Sequence, residues 1–383
     1  DIDDKIIARA EEEKVSEEEV AQKYIDAFLL LRKQLNCLAH DCNPRVSQFM
    51  DQIIEYIDIL ISKDGAYVVD GDVYFSIEAV SDYGKLSGQS VENLQSGARI
   101  QENTKKKSPI DFTLWKKTTQ GQRWDSPWSS GRPGWHTECV VMIDSIFKGK
   151  IDIHGGGMDL KFPHHDNEIA QSECMHNHAI ANYWMHNGRI EFSGDKMSKS
   201  EGNVIWTKDL LQEFPYQVFR LLLLNVPYRQ PINYKRELIE QITADYEKIE
   251  RAYVGLFRKI ELTYGITALK EKQELMFHQD LLDEFIAHMA DDFNTPNALS
   301  VIFKVTKHIN QVLRKNDVPK ETLQELYCLL KDMLWVLGIE VDVMELTLED
   351  RTLIHQWEKA RKEKNFARAD TLREEMNKRE IKL

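Results

Sequence analysis

The chain has 383 residues, 42% of them hydrophobic and 30% charged, with a formal net charge of −13. Those proportions fit a soluble globular protein of two or three domains, and no run approaches the roughly 18–20 apolar residues of a membrane span. The acidic balance argues against a protein that coats nucleic acid along its whole surface, though a local basic face stays open to it.

The first residues, Asp1-Ile2-Asp3-Asp4-Lys5, are no signal peptide, and the expected location is cytoplasmic. An apolar pattern starts at Ile6-Ile7 with no cap before it, as in the middle of a domain, and an acidic helix is expected over 11–28. Residues 46–61 carry a 3.6-residue apolar period. Ala66-Tyr67-Val68-Val69 and Val73-Tyr74-Phe75-Ser76 flank Asp70-Gly71-Asp72 as a hairpin. A polar, loop-rich stretch ends in Lys105-Lys106-Lys107, which reads as a solvated face, with nucleic-acid contact as the alternative. The five cysteines, Cys37, Cys42, Cys139, Cys174 and Cys328, are irregularly spaced and read as reduced thiols, with a metal site open to them.

Phe112 to Trp115 reads as a strand, after which Trp124, Trp128 and Trp135 crowd a Gly/Pro/Ser-rich stretch leading into Gly134-Trp135-His136-Thr137-Glu138-Cys139. An aromatic beside a thiol on a glycine-hinged turn serves equally as core or as pocket wall. Ile151-Asp152-Ile153-His154-Gly155-Gly156-Gly157-Met158-Asp159 has the form of a buried strand breaking into a glycine loop. Such glycines let a backbone approach a ligand closely, and Asp159 can accept from a ribose diol. Phe162-Pro163-His164-His165-Asp166-Asn167-Glu168 follows, with Pro163 suited to a first helical position. There His164 and Glu168 stand at i and i+4 on one helix face, His165 and Glu168 at i and i+3. Zinc accepts both ligand types, and Cys139 offers a thiolate from another element. Spacing does not choose between the two histidines, and a fourth ligand is not evident.

Lys196-Met197-Ser198-Lys199-Ser200 then combines two lysines with small hydroxyls ahead of Gly202. Such a cationic loop can neutralise a polyphosphate. Helical periods follow over 208–225, 238–262, 280–291, 296–313 and 321–337, with Thr295 as the expected cap and Pro296 at the first helical position. From about residue 347 the helices are richer in base, including Arg361, Lys362, Arg368 and Arg373, which suits an anionic partner.

The pentapeptide resembles, letter for letter, the KMSKS signature of class I aminoacyl-tRNA synthetases. With Asp1 to Ile7, Gly134 to Cys139, Phe162 to Glu168 and Tyr183-Trp184-Met185-His186-Asn187-Gly188, in that order and spacing, the chain resembles the cysteinyl-tRNA synthetase family. Asp291-Asp292-Phe293-Asn294-Thr295-Pro296 extends the match into the helical half. The resemblance implies an α/β class I catalytic domain on a Rossmann-type sheet, incomplete at its N-terminus, followed by an all-α bundle. It divides the chain into catalytic residues 1–20, a connecting insertion over 21–108, the catalytic part with zinc site and KMSKS loop over 109–205, a stem-contact linker over 206–235, a tRNA-binding bundle over 236–346 and C-terminal tRNA-binding helices over 347–383.

It further implies one zinc ion on Cys139, His164 and Glu168, a substrate pocket at Trp135 and His164, and catalytic lysines Lys196 and Lys199. ATP, taken with magnesium, would be held by these lysines with Ser198, His154, Gly156 and Asp159. The partners implied are tRNA(Cys), L-cysteine and ATP, with no membrane, and the protein is expected to be a monomer. The family's HIGH-type sequence, its first zinc cysteine and a small C-terminal region have no counterpart here. On that reading the chain is a fragment, inactive alone. Two departures accompany it: Glu201 follows the loop where leucine is common, and Pro227 precedes Tyr228-Arg229 where a histidine often stands. The alternatives are a ligase joining cysteine to a small amine in thiol-cofactor synthesis, against which the helical half argues, and a non-catalytic RNA-binding relative, against which the intact KMSKS and zinc residues argue.

Overall fold

The computed structural model describes residues 1–91, 105–192, 195–196, 204–271, 277–315 and 317–383. They form two compact units, residues 1–33 with 38–189 and residues 34–37 with 190–383.

The first unit begins with α1 (Asp4–Glu13), α2 (Glu17–Gln34) and α3 (Met50–Ser62). One helix was expected over 11–28, and there are two. Lys14 turns left-handed at φ 56°, and Ser16 opens the next helix with a reciprocal cap. Its hydroxyl accepts from the Glu19 N–H at 3.1 Å, while Glu19 accepts from the Ser16 N–H at 2.8 Å. Two otherwise orphaned donors are satisfied this way, which outweighs continuing the apolar period.

An antiparallel sheet follows, built from β1 (Ala66–Val69), β2 (Asp72–Phe75), β3 (Phe112–Lys117), β4 (Trp124–Asp125) and β5 (Ser130–Pro133) in the order β1-β2-β3-β5-β4. The expected hairpin is present. Asp70 and Gly71, at φ 53° and 91°, supply the left-handed pair whose twist matches the flanking strands. The basic run is only partly solvated: Lys105 pairs with Asp72 at 3.3 Å, and Lys107 sits 4.4 Å over the Tyr67 ring.

Next come α4 (Trp135–Phe147), β6 (Ile151–Gly157), α5 (Asp166–His176) and β7 (Ala181–Asn187). β6 and β7 pair in parallel, making with α5 the βαβ repeat of Rossmann-type sheets. The sequence suggested a buried strand breaking at its glycines. Instead Gly155, Gly156 and Gly157 stay in the strand, paired with Met185, His186 and Asn187, and Ile153 is 56% exposed. Glycine keeps its backbone donor and acceptor, so a neighbouring strand holds it in register. Pro163 is not at a first helical position either. Phe162 is extended at φ −137°, the Phe162–Pro163 bond is cis, and a wide turn over Lys161–His165 precedes α5. Ile53, Ile57 and Leu60 of α3 pack with Phe75, Leu114 and Trp115 of the sheet in the core of this unit, together with Val140, Val141 and Ile169 of α4 and α5. Each such side chain contributes about 1.5–3 kcal/mol when buried.

The second unit carries a small sheet of β8 (Ile190–Phe192), β9 (Asp195–Lys196) and β10 (Ile232–Tyr234), in which β8 pairs in parallel with β10 and antiparallel with β9. Of Lys196 only the backbone is described. Ser198, Lys199 and Glu201 lie outside the described residues. The helix expected over 208–225 is interrupted, giving α6 (Thr207–Glu213) and α7 (Tyr216–Leu224). Pro215 has no N–H to donate and forces Phe214 into extended backbone at φ −127°.

The bundle is α8 (Arg236–Tyr264), α9 (Gln279–Ala290), α10 (Thr295–Leu313) and α11 (Lys320–Val336), closed over Ile249, Leu256, Ile260, Val305, Ile309 and Leu330. Asn294, not Thr295, caps α10, accepting from the Asn297 N–H at 3.3 Å; the Thr295 hydroxyl instead donates to the Leu224 carbonyl at 2.8 Å. α12 (Leu348–Lys362) and α13 (Phe366–Lys378) pair over their own apolar seam of Leu353, Ile354, Leu372 and Met376. Among the described residues, no helix is long and apolar enough to cross a membrane.

Candidate metal centre

Three elements of the first unit converge at the C-terminal end of β6. α4 is brought there by Gly134, whose N–H donates to the Leu114 carbonyl at 2.7 Å, and where any Cβ would run into the Thr113 carbonyl. Only glycine lets the helix start against β3, and that start fixes where Cys139 points. The wide turn after β6 delivers His164, and the first turn of α5 delivers Glu168. The thiol of Cys139, an imidazole nitrogen of His164 and a carboxylate oxygen of Glu168 lie within 4.8 Å of one another, and His164 and Glu168 are buried.

The donor set fits a cation. Glu168 Oε1 is fully buried and 3.1 Å from His164 Nε2, yet no aligned donor satisfies it. Burial pushes the Cys139 thiol up to about 12, and the charges of Glu168 and Glu138 add to that. A bound metal ion reverses this preference by stabilising the thiolate. Burial would also raise Glu168, but the hydrogen bond from His154 and the close approach of the His164 imidazole bring its carboxyl down to about 2. It therefore stands ready as an anionic ligand.

A second group shares the same carboxylate: His154, His165 and Glu168 also have donors within 4.8 Å of one another. His154 Nε2 meets Glu168 Oε2 at 2.6 Å, while His165 Nδ1 faces His186 Nε2 at 2.8 Å. The two adjacent histidines thus diverge: His164 joins Cys139, and His165 joins the histidines of the strands. Behind His164, its Nδ1 lies 2.9 Å from His136 Nδ1, so ligation through Nε2 would leave the Nδ1 proton to donate there. Burial, then the neighbouring His164, lowers His136 to about 4; burial does the same to His165. Both rings are neutral near pH 7.

The other candidate residues are placed as follows. Trp135, 58% exposed, stacks on the His164 ring at 4.5 Å. Gly156 is in β6, where a Cβ would come within 2.8 Å of the His165 ring. His154, expected beside the nucleotide, is held against Glu168. Asp159 is exposed in the turn after β6. Sequence reasoning passed over three contributors, His136, Trp184 and His186. Trp184 stacks on His154 at 4.7 Å and lies 5.0 Å from His165. The available signal was the period of two in Trp184-Met185-His186, which puts the indole and imidazole on one face at the C-terminal end of a parallel strand, where α/β ligand sites form.

Comparison with known proteins identifies the family. Residues 1–244 match the family model described as tRNA synthetases class I (C) catalytic domain, and residues 284–342 match the DALR domain. A cysteine–tRNA ligase from Anoxybacillus flavithermus is 43% identical over 383 residues, covering 100% of this chain and 82% of that protein. One from Brevibacillus brevis is 43% identical over 378 residues, covering 98% and 81%. Among solved structures, Mycobacterium tuberculosis methionyl-tRNA synthetase bound by methionyl-adenylate shares the fold. Its TM-score is 0.58 at 13% identity, with 87% of this chain and 80% of that one covered. A putative arginyl-tRNA synthetase from Campylobacter jejuni matches at TM-score 0.53 and 15% identity, covering 85% and 69%. With the catalytic and DALR models both matched and relatives similar along the whole chain, the chain belongs to the cysteine–tRNA ligase family of class I aminoacyl-tRNA synthetases.

Proposed function

We propose that the protein activates L-cysteine with ATP and magnesium and transfers the cysteinyl group to the 3′ end of tRNA(Cys). In the first step the cysteine carboxylate attacks the α-phosphorus and pyrophosphate leaves; in the second a terminal ribose hydroxyl of the tRNA displaces AMP. Charge accumulates on phosphate oxygens in the first step, so fixed cations do most of the work. Lys196 and Lys199, helped by Ser198, would neutralise the triphosphate, and Asp159 would accept from the ribose. Gly156 leaves room for the backbone and the His165 ring to close on the site.

Cys139, His164 and Glu168 would hold one zinc ion. When bound, the ion supplies a Lewis acid that prefers thiolate to hydroxyl, which separates cysteine from serine. His136 and His154 orient its ligands, and Trp135 covers His164 at the pocket mouth. The helical bundle over 236–346 and the basic helices over 347–383 would bind the tRNA, with the protein acting as a cytoplasmic monomer. The observation that carries the zinc reading is the meeting of the Cys139, His164 and Glu168 donors within 4.8 Å, one carboxylate oxygen among them lacking a hydrogen bond. Zinc content and cysteine-dependent ATP–pyrophosphate exchange, measured on the chain joined to a HIGH-type segment of the family and on Cys139→Ala in the same form, test it. The variant is expected to lose metal and exchange together; full exchange without metal would overturn the zinc assignment.

A further inference from the structure

Arg229 belongs to the turn over 227–230, closed by the Gln230 N–H donating to the Pro227 carbonyl at 2.9 Å, and β10 begins at Ile232. Its guanidinium forks onto Asp292: Nε donates to Oδ2 at 2.7 Å and Nη2 to Oδ1 at 2.9 Å. The Tyr228 hydroxyl donates to Oδ1 at 2.9 Å, and the guanidinium carbon rests 4.9 Å over the Tyr228 ring. Asp292 lies between α9 and α10, where it and Phe293 are both left-handed, at φ 50° and 54°. Two consecutive residues with a Cβ in that region persist only where their surroundings hold them.

The same turn is pinned twice more. The Asn294 N–H donates to the His288 carbonyl at 3.1 Å, and the Thr295 hydroxyl to the end of α7 at Leu224. An ion pair whose side chains are 54% and 55% exposed adds little to stability. What a two-pronged fork does supply is a fixed angle between the parts it joins. Those parts are the bundle, through the α9–α10 turn, and the small sheet. From β10 two strand pairings, to β8 and then β9, reach the backbone of Lys196.

We infer that Arg229, with Tyr228 and Asp292, is a positioning clamp that holds the helical bundle at one angle to the sheet carrying Lys196, and that it serves acyl transfer to tRNA rather than adenylate formation. The inference rests on the function proposed above. Adenylation needs only small substrates. Transfer needs a macromolecule gripped by the bundle to present its end in register, where a shift of about 1 Å can cost on the order of a hundredfold.

The test uses the full chain joined to a HIGH-type segment of the family as parent, with the variants Arg229→Ala, Arg229→Lys and Asp292→Asn, measuring pyrophosphate exchange, tRNA cysteinylation and melting temperature. Exchange and melting temperature should stay near the parent's, while kcat/KM for tRNA falls about tenfold or more in Arg229→Ala and Asp292→Asn. Lysine should not restore it, since a point charge cannot fork. Asp292→Asn is the discriminating arm: if Arg229 simply bound tRNA phosphate, removing a carboxylate beside it would leave binding equal or tighter. Unchanged transfer, a gain with Asp292→Asn, or losses in exchange and transfer that track a lower melting temperature would each overturn the clamp. A parent protein without cysteine-dependent exchange would overturn the proposed function itself; an active parent with unaffected variants overturns the clamp alone.

Discussion

His154 Nε2 lies 2.6 Å from Oε2 of Glu168, the carboxylate oxygen that does not face His164. A group that orients a metal ligand is worth about 10- to 100-fold in metal affinity. His154→Ala should therefore keep all three ligands yet hold zinc more weakly by about that factor, read by competition with a chelator. Equal affinity would show that packing alone orients Glu168.

Gly134 leaves no room for a side chain, because its neighbour is the Thr113 backbone and not the end of a flexible side chain. Gly134→Ala is expected to destabilise the protein by about 3 kcal/mol or more, since backbone cannot step aside, and to loosen Cys139 with the start of α4. Urea melts and zinc content should fall together; a stable variant that keeps its zinc would contradict the close-approach argument.

Arg258 and Glu261 form a buried ion pair at 2.6 Å beneath the C-terminal helices. Arg258 also donates to the carbonyls of Met344 and Lys382, and Glu261 accepts from the Leu346 N–H at 2.7 Å. Arg258→Ala would leave the fully buried Glu261 carboxylate with Arg351, at 3.3 Å, as its remaining charged partner and should cost about 1.5–3 kcal/mol, seen as a lower urea midpoint. Replacing both, Arg258→Met with Glu261→Leu, should recover much of that loss. A double variant as weak as the single would mean that the backbone contacts of Arg258, and not the weakened pairing of Glu261, set the cost.

His308 Nε2 faces His278 Nε2 at 3.2 Å, and His278 Nδ1 lies 3.2 Å from Glu325 Oε1. Burial lowers the His308 pKa, with the charges of His278 and Lys315 adding to it. The folded state thus takes up this proton less readily than the unfolded chain. Its contribution to stability is complete above the unfolded value of about 6.5 and is lost as pH falls through that value toward the folded one. Melting temperatures of the protein and of His308→Gln between about pH 7.5 and 5 should show a smaller acid loss in the variant. Parallel curves would remove His308 as a source of the pH dependence.

Much of the fold was written locally. Asp70-Gly71 fixed a hairpin as expected, because it acts on its own dihedral angles; Pro296 stands in the first turn of α10 but one position later than expected, since Asn294 and not Thr295 is the cap. Two helix breaks were misread although their signals, Ser16 and Pro215, stand in the sequence; continuous apolar periods ran through both and masked them.

The ligand types at the candidate site, Cys139, His164 and Glu168, were legible because residues four apart meet across a turn, although His164 stands in the wide turn ahead of α5 and not in the helix. Spacing left open which of His164 and His165 joins the cysteine, since i+3 and i+4 both face Glu168, and only the family resemblance named His164. That was decided by the wide turn over Lys161–His165 and by the register of β6 on β7, which sets His186 beside Gly156 and gives His165 its partner. The pairing of His154 with Glu168, and the indole of Trp184 over both His154 and His165, likewise join residues from different elements. By itself the sequence determined which groups this protein brings to its chemistry and the short-range turns that present them. Only tertiary structure decided which of those groups touch, because contact between separate strands and helices depends on register and packing that no local pattern encodes.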